Sequence, residues 1–487
     1  MSLVQSVDQV ALLPAYLAAG TAVLVLLVDL LVARPAVTVA VAATGAAATA
    51  LGAAVVGTGG ERRTFCVGAD CSYVFGGRAA LVAAVFALLT LGVLVLSGPL
   101  LRAGRTPVGE YCFLLACAMT GGVVLGAAGD LITLIVALET LTLPLYVLVG
   151  LRRGSLAGAE AAVTFFVVSV VATTVTLLGA ALLYAVTGSL HLDRLGTTLA
   201  AAGDLADLPL TTVAVALVVG GLAFKVAAVP FHAWAPATYD GAPLPVAAYL
   251  STASKLGGVV ALLAVVQRAL PATVTGPVLA GLAVLTMTVG NLVALRQRRT
   301  VRLLAWSSVA QAGYILAPLG ALTLAAGRTV DARAVAYAAA VAYAVFFVLL
   351  ELAAFAAVVA LRPADGDGGT LADLRGAARR HPWVGGAFVL ALIGLAGLPP
   401  GLAGLFAKVT VVRALLAGHA GWLALVVALN AVIGLAYYLR LAATLYVTPG
   451  AATARPPRGV AVALGVATAL AVLVGFAPQL VLDLAAR

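Results

Sequence analysis

The sequence predicts an all-α polytopic membrane protein, and three observations carry that expectation. Of its 487 residues 63% are hydrophobic, only 9% are charged, and the apolar residues gather in long runs. Runs of about 17 to 25 residues, the length that crosses a bilayer as a helix, fall near 10–33, 36–58, 79–101, 109–127, 130–151, 156–187, 210–235, 243–269, 273–295, 301–324, 333–361, 383–413, 419–446 and 458–483. Fourteen spans are expected. The formal net charge of +10 would suggest nucleic acid in a soluble chain, but the arginines sit in short connections between apolar runs, where they orient a membrane protein. The expected surroundings are a lipid bilayer, with no nucleic acid.

The first run is preceded by no lysine or arginine and is too long for the apolar core of a signal peptide, so it is expected to remain as a helix. Counting basic residues loop by loop orients the rest. Sixteen arginines, among them Arg34, Arg102, Arg152, Arg153, Arg299, Arg362, Arg440 and Arg455, fall on one side, and the other nine fall opposite. The positive-inside rule then places both termini outside. The polar stretch ERRTFCVGADCSY between spans two and three would also lie outside. In an oxidising compartment Cys66 and Cys71 can close a small disulfide; as zinc ligands they would make half a site at best. Cys112 and Cys117 lie within an apolar run and read as small core residues.

Spans seven and twelve cannot be continuous. Span seven reads GLAFKVAAVPFHAWAPATYDGAP, with Pro230 five residues after Lys225, and span twelve reads LIGLAGLPPGLAGLFAKVTVV, with Pro399 and Pro400 ahead of Lys408. Each proline removes a backbone donor. Broken helices at membrane depth survive only where protein or a hydrated cavity receives the freed groups. Two such spans, five helices apart, point to inverted repeats: residues 1–108 would hold spans one to three, 109–269 the first repeat, 273–446 the second, and 458–483 the last helix.

All three lysines, Lys225, Lys255 and Lys408, lie inside apolar runs, whereas the other basic residues are arginines mostly in loops. An ammonium can lose its proton when buried; a guanidinium effectively cannot. An ionisable group inside a span costs roughly 2.5 to 3.5 kcal/mol on insertion scales and reads as functional by default. Glu139, midway along span five in VALETLTLPLYVLVGLRR, is the natural partner of Lys225, since opposite buried charges stabilise each other's ionised forms. Such a pair works either as a switch that holds and releases a proton or as a static tie; a tie would be served equally well by arginine.

Lys255, in YLSTASKLGGVVALL, is too deep to reach the surface easily and suits a relay, whereas Lys408, close to Arg413, suits either an exit step or a snorkelling role. His232, two residues after Pro230, is expected first to hydrogen-bond carbonyls freed by the break and second to shuttle protons. Ser307, Ser308 and Gln311 in span ten can line a hydrated path, and Glu351 in span eleven is either a pathway residue or a partner for a neighbouring subunit or arginine. No haem, iron–sulfur, metal or nucleotide-binding pattern is present.

The strings LETLTLPLYVLVGLRR, GLAFKVAAVPFHAWAPATYDGAPLPVAAYLSTASK, GNLVALRQRRTVRLLAWSSVAQAGY and GLPPGLAGLFAKVTVVRALL resemble the antiporter-like membrane subunits of respiratory complex I, the proton-translocating NADH:quinone oxidoreductase. The resemblance covers essentially the whole chain, and the ending at Arg487 favours members without a long lateral helix. It implies fourteen helices with two inverted five-helix repeats, and proton transport driven by quinone reduction in a neighbouring module. The family's membrane glutamate matches Glu139, and its lysines of spans seven, eight and twelve match Lys225, Lys255 and Lys408. It further implies no cofactor on this chain, with NADH, FMN, iron–sulfur clusters and a quinone in other subunits. The partners would be other membrane-arm subunits, antiporter-like and small helical, in a bacterial plasma membrane. Three positions depart from the pattern: Thr164 stands where a further lysine is frequent, Gln311 where a histidine is common, and Glu351 where an amide is usual. Two other readings remain: a subunit of a multisubunit cation/proton antiporter, and an assembly subunit that no longer pumps.

Overall fold

The computed structural model describes residues 6–152, 154–201, 203–364, 366–447 and 456–486. Arg153 and Arg455, counted above among the orienting arginines, lie outside the described residues. The chain forms two compact units, one of residues 1–94, 104–225 and 253–271, the other of 95–103, 226–252 and 272–487.

The first unit begins with α1 (Gln9–Val32) and α2 (Pro35–Thr58). Asp8 starts α1 by accepting from the amides of Val10 and Ala11, which an unextended helix end leaves unpaired. A hairpin follows, β1 (Arg62–Val67) against β2 (Asp70–Phe75), and Gly68, at φ +65°, makes the tight turn. The hairpin brings Cys66 opposite Cys71, and their sulfurs are bonded. Tyr73 and Phe75 turn inward among alanines of α1 and α2 and Met119 and Val123. Then come α3 (Gly77–Arg102), α4 (Val108–Leu125), α5 (Leu131–Gly150), α6 (Leu156–Thr187) and the short α7 (Leu192–Ala201) and α8 (Gly203–Ala206). The helix α9 (Pro209–Lys225) packs on α6.

The second unit takes up the chain at Val226 with α10 (Trp234–Gly241) and α11 (Leu244–Tyr249). A π-turn, Leu250–Ser254, leads into α12 (Lys255–Arg268), which belongs to the first unit and packs against α5 and α9. Arg268 closes α12 with a two-pronged ion pair to Asp193 of α7, at 2.8 and 2.7 Å. The rest of the second unit comprises α13 (Ala272–Ala294), α14 (Thr300–Leu316), α15 (Val330–Leu361), α16 (Ala377–Arg380), α17 (Pro382–Ala396), α18 (Leu402–Ala417), α19 (Gly421–Thr444), α20 (Arg458–Phe476) and α21 (Gln479–Ala486). The long α15 is its centre, touching α11, α14, α17, α18 and α20.

Among the described residues, eleven helical segments are long and apolar enough to cross a membrane. Four expected spans are not single continuous helices. Span seven is α9 followed by α10 around a cis Val229–Pro230 bond, and span twelve is α17 followed by α18 around a cis Pro399–Pro400 bond. Span ten is α-helical only to Leu316 and tightens into a 3₁₀ segment, Ala317–Thr323, where Pro318 cannot donate to the ladder. The expected last span, 458–483, is likewise interrupted: α20 stops at Phe476, ahead of Pro478. Large apolar side chains such as Leu30, Leu31 and Leu156 are 76%, 77% and 89% exposed, as helices facing lipid or other subunits require.

Charges gather where the helices of the second unit are joined. Arg299 meets Asp240 of α10 at 2.7 Å and Asp367 at 2.9 Å, and Arg362 reaches Asp367 and Asp373 at 3.4 and 3.6 Å. Thr370 caps the following 3₁₀ turn, its amide held by Asp373 at 2.7 Å. Arg440 covers the carbonyl end of α13 through the oxygens of Leu295 and Gln297. Partial burial works to raise the Asp367 carboxyl, but the hydrogen bond and charge of Arg299 outweigh it and hold it below 3.8. Hydrogen bonding to the Thr370 amide holds Asp373 below the same value. A carboxylate depressed in the folded state contributes stability above its unfolded pKa and loses it as pH falls through the folded value. The melting temperature of the detergent-solubilised protein is therefore expected to fall as pH drops below about 4, and Arg299→Gln to flatten part of that slope; an unchanged acid limb in Arg299→Gln would refute the assignment.

Candidate functional site

Helix α5 starts at Asp130, whose carboxylate accepts from the Thr133 amide at 2.7 Å. Nine residues on, Glu139 begins a polar stripe. With Thr142 and Tyr146 it occupies positions i, i+3 and i+7, one face of the helix. Helix α6 packs beside α5 and presents Ser169 and Thr173, four residues apart. Lys225 is the last residue of α9, where a cation is favoured by the partial negative charge of the helix end.

These three helices converge on one ion pair. The Lys225 Nζ stands 2.7 Å from Glu139 Oε1, 3.2 Å from Thr142 Oγ1 and 3.0 Å from Ser169 Oγ. An ammonium has three donors, and each has an acceptor here. Glu139 Oε1 accepts in addition from Thr173 Oγ1 at 2.6 Å, and the Tyr146 hydroxyl donates to Ser169. The Lys225 side chain is 6% exposed and that of Glu139 19%. Desolvating two ions costs several kcal/mol each unless the geometry is good and the remaining hydrogen-bonding capacity is met. Both conditions hold, so the pair persists while buried. A guanidinium, planar and five-donor, would not match a cluster of three converging oxygens.

Lys255 is the first residue of α12 and is buried. Three residues on, Gly258 lies so close to the end of α9 that a Cβ there would be 2.7 Å from the Lys225 carbonyl carbon. The absence of a side chain is what lets α12 seat against the lysine-bearing end.

At the break after α9, the Val229 amide donates to Thr286 Oγ1 of α13 at 2.9 Å, replacing the bond that the helix no longer supplies. His232 lies beside the Pro230 carbonyl and tilts against the Trp306 ring at 5.1 Å.

Lys408 is turned inward, away from the snorkelling alternative. Its ammonium donates to the carbonyl oxygens of Leu395, at 3.3 Å, and Ala396, the last turn of α17, and stands 5.0 Å from the Tyr314 ring centre. Gln311 Nε2 donates to the same Leu395 carbonyl at 3.0 Å and to the Tyr438 hydroxyl at 3.0 Å, while Tyr343 donates to Gln311 Oε1 at 2.5 Å. Ser307 pairs with Tyr438 at 2.5 Å, and Ser308 with Tyr239. Glu351 is fully buried in α15, within electrostatic reach of Tyr239 and Tyr438. Ser307, Gln311 and Lys408 are thus parts of one polar cluster rather than separate stations.

Sequence reasoning missed Thr142, Tyr146, Ser169 and Thr173 in the first unit, and Tyr343 and Tyr438 in the second. Helical spacing from Glu139 would have found the first two, and the four-residue step between Ser169 and Thr173 the next. Thr164 is exposed and lies five residues short of Ser169. Among the described residues, no group of three or more His, Cys, Asp or Glu side chains is placed to hold a metal ion.

A buried lysine–carboxylate pair beside one broken helix, and a second lysine set on the open end of another, define a membrane protein of the antiporter-like ion-transfer class. The chain belongs to the NADH:quinone oxidoreductase/Mrp antiporter transmembrane family, whose model matches residues 128–434. It is 77% identical to NADH-quinone oxidoreductase subunit N of Salinispora tropica over the full length of both chains. It is 44% identical to subunit N 2 of Streptomyces griseus, over 96% of this chain and 86% of that one. Among solved structures, a chain of respiratory complex I from Thermus thermophilus matches with a TM-score of 0.81 and 31% identity, over 97% of this chain and 99% of that one. A chain of the Mrp complex from Dietzia matches with a TM-score of 0.81 at 22% identity, over 97% and 96%, which shows the shared fold.

Two outcomes are expected from this geometry. Gly258→Leu should drive α12 off the end of α9 and lower the amount of assembled protein in membranes; wild-type levels would refute the close approach. In the detergent-solubilised protein a maleimide should leave Cys66 and Cys71 unlabelled until a reductant is added, after which mass spectrometry should find both modified. Labelling without reductant would refute the bond.

Proposed function

We propose that this chain is a proton-translocating membrane-arm subunit of an NADH-quinone oxidoreductase, in which Glu139 and Lys225 form the proton-handling pair. The observation that carries this is the 2.7 Å ion pair at the end of a broken helix, with every donor of the ammonium engaged. While Glu139 stays close, Lys225 holds its proton. When the two separate, desolvation favours the neutral amine, and the proton is released to the next acceptor. Lys255 is assigned the relay step and Lys408 the exit step. Glu351, Ser307, Ser308 and Gln311 line the path in the second unit, with His232 a structural support at the first break. A static tie predicts none of this dependence on a titratable cation.

The 77% identity to a subunit N, covering both chains fully, supports this reading over a free cation/proton antiporter. The same reading places NADH, FMN, iron–sulfur clusters and a quinone on other subunits, and makes other membrane-arm subunits the partners. The membrane would be the bacterial plasma membrane with both termini outside. Fourteen spans and inverted repeats over 109–269 and 273–446 are part of the proposal, supported by the lysine near each broken helix, Lys225 before one break and Lys408 after the other.

Lys225→Ala is expected to leave NADH:quinone electron transfer in the assembled complex while lowering protons moved per electron, measured in sealed vesicles. Removing one member of a buried pair costs about 3 to 5 kcal/mol, so Lys225→Ala/Glu139→Gln, which removes both charges, serves if the single variant assembles poorly. Unaltered stoichiometry in either would overturn the assignment.

A further inference from the structure

We propose that Thr173 and Ser169 of α6 are positioning residues for the Glu139–Lys225 pair: each takes charge of one member when the two separate. The inference rests on the proposed function and adds the device that makes opening of the pair feasible.

The hydroxyls of α6 fall into two groups. Thr174, Thr176 and Thr187 return theirs to the carbonyls of Val170, Ala172 and Leu183, four residues back on their own helix. Thr173 instead directs its hydroxyl across to Glu139 Oε1 at 2.6 Å. Ser169, one turn earlier and fully buried, lies 3.0 Å from Lys225 Nζ and accepts from the Tyr146 hydroxyl. One face of one helix therefore addresses the anion with a donor and the cation with an acceptor. In the closed pair these hydroxyls complete the hydrogen bonding of two ions that already meet directly, and each touches one ion only.

They serve again when the pair opens. A carboxylate parted from Lys225 keeps the Thr173 hydroxyl as donor, and the ammonium keeps Ser169 and Thr142 as acceptors until its proton leaves. A bare buried ion is the costly state, and two neutral hydroxyls remove it without adding a charge that would fix the pair in one state. A lysine on the same helix would compete with Lys225 for Glu139; a threonine does not. This is how the α6 of this chain, with Thr164 rather than lysine in its first half, still addresses the pair.

The test uses the intact complex in sealed vesicles, reading protons moved per electron beside the uncoupled rate of NADH:quinone electron transfer. A hydrogen bond to a buried charge, once lost, should slow proton delivery roughly tenfold. Thr173→Val is expected to lower the proton ratio and Thr173→Ser to restore it; Thr173→Ala substitutes if the valine variant assembles poorly. Added to Glu139→Gln, Thr173→Val should have no further effect, because it acts only through that carboxylate. Ser169→Ala should lower the ratio, and Ser169→Thr restore it. If Lys225→Ala lowers the ratio while Thr173→Val and Ser169→Ala leave it unchanged, this inference fails and the proposed function stands. If Lys225→Ala has no effect, the proposed function fails; a loss in Thr173→Val against that background would place its effect elsewhere and overturn the inference as well. Additive losses in the Glu139→Gln background would do the same.

Discussion

In hydrocarbon no solvent accepts an N–H or offers a donor to a C=O, so every backbone group must find a partner within the protein. That constraint makes the chain helical almost throughout, and it governs the exceptions with equal force. Where α9 ends, the Val229 amide is met by the Thr286 hydroxyl. Where α17 ends, the carbonyls of Leu395 and Ala396 are met by Lys408 and Gln311. The polar side chains at these breaks are therefore required by the backbone before any transport role is considered. Function uses groups that the architecture already has to supply.

The two lysines at the breaks meet this constraint in different ways. Lys225 faces an ion: its charge is matched by Glu139, and its three donors by three oxygens. Lys408 faces dipoles: its partners are neutral carbonyls at the negative end of a helix. The charge at the first site is balanced by a second titratable residue, whereas at the second site it is solvated by fixed backbone dipoles. This difference also refines the reason for lysine. At Lys225 the shape of the acceptor cluster excludes a guanidinium independently of proton release.

Much of the fold was legible in composition and run length, because crossing a bilayer sets helix length directly. The run 156–187 coincides with α6, and the prolines marked both broken spans. The misplaced boundaries were at Leu316 and Phe476, where Pro318 and Pro478 sit inside or beside apolar residues that hydropathy reads as continuous. At the site, the charged partners Glu139 and Lys225 stood out because charge is rare in these runs. The hydroxyls around them did not, since serine and threonine are common in membrane helices and mostly bond their own backbone, as Thr174 and Thr176 do. Only tertiary placement separates Thr173 from its neighbours. Tyr343 and Tyr438 were hidden for a similar reason: an aromatic ring in an apolar run reads as packing until its hydroxyl is seen to bond.

The Leu395 carbonyl accepts from Lys408 and from Gln311 together. An amide has no proton to give up at any physiological pH, so when Lys408 becomes neutral this oxygen still holds a permanent donor. The end of α17 thereby keeps its anchorage through a change of charge next to it. In a histidine at the same place, holding the carbonyl and carrying a proton would be duties of one ring, and titration would disturb the helix end. Here the two duties would fall to neighbours, and the Gln311 amide holds the end of α17 whatever the charge on Lys408.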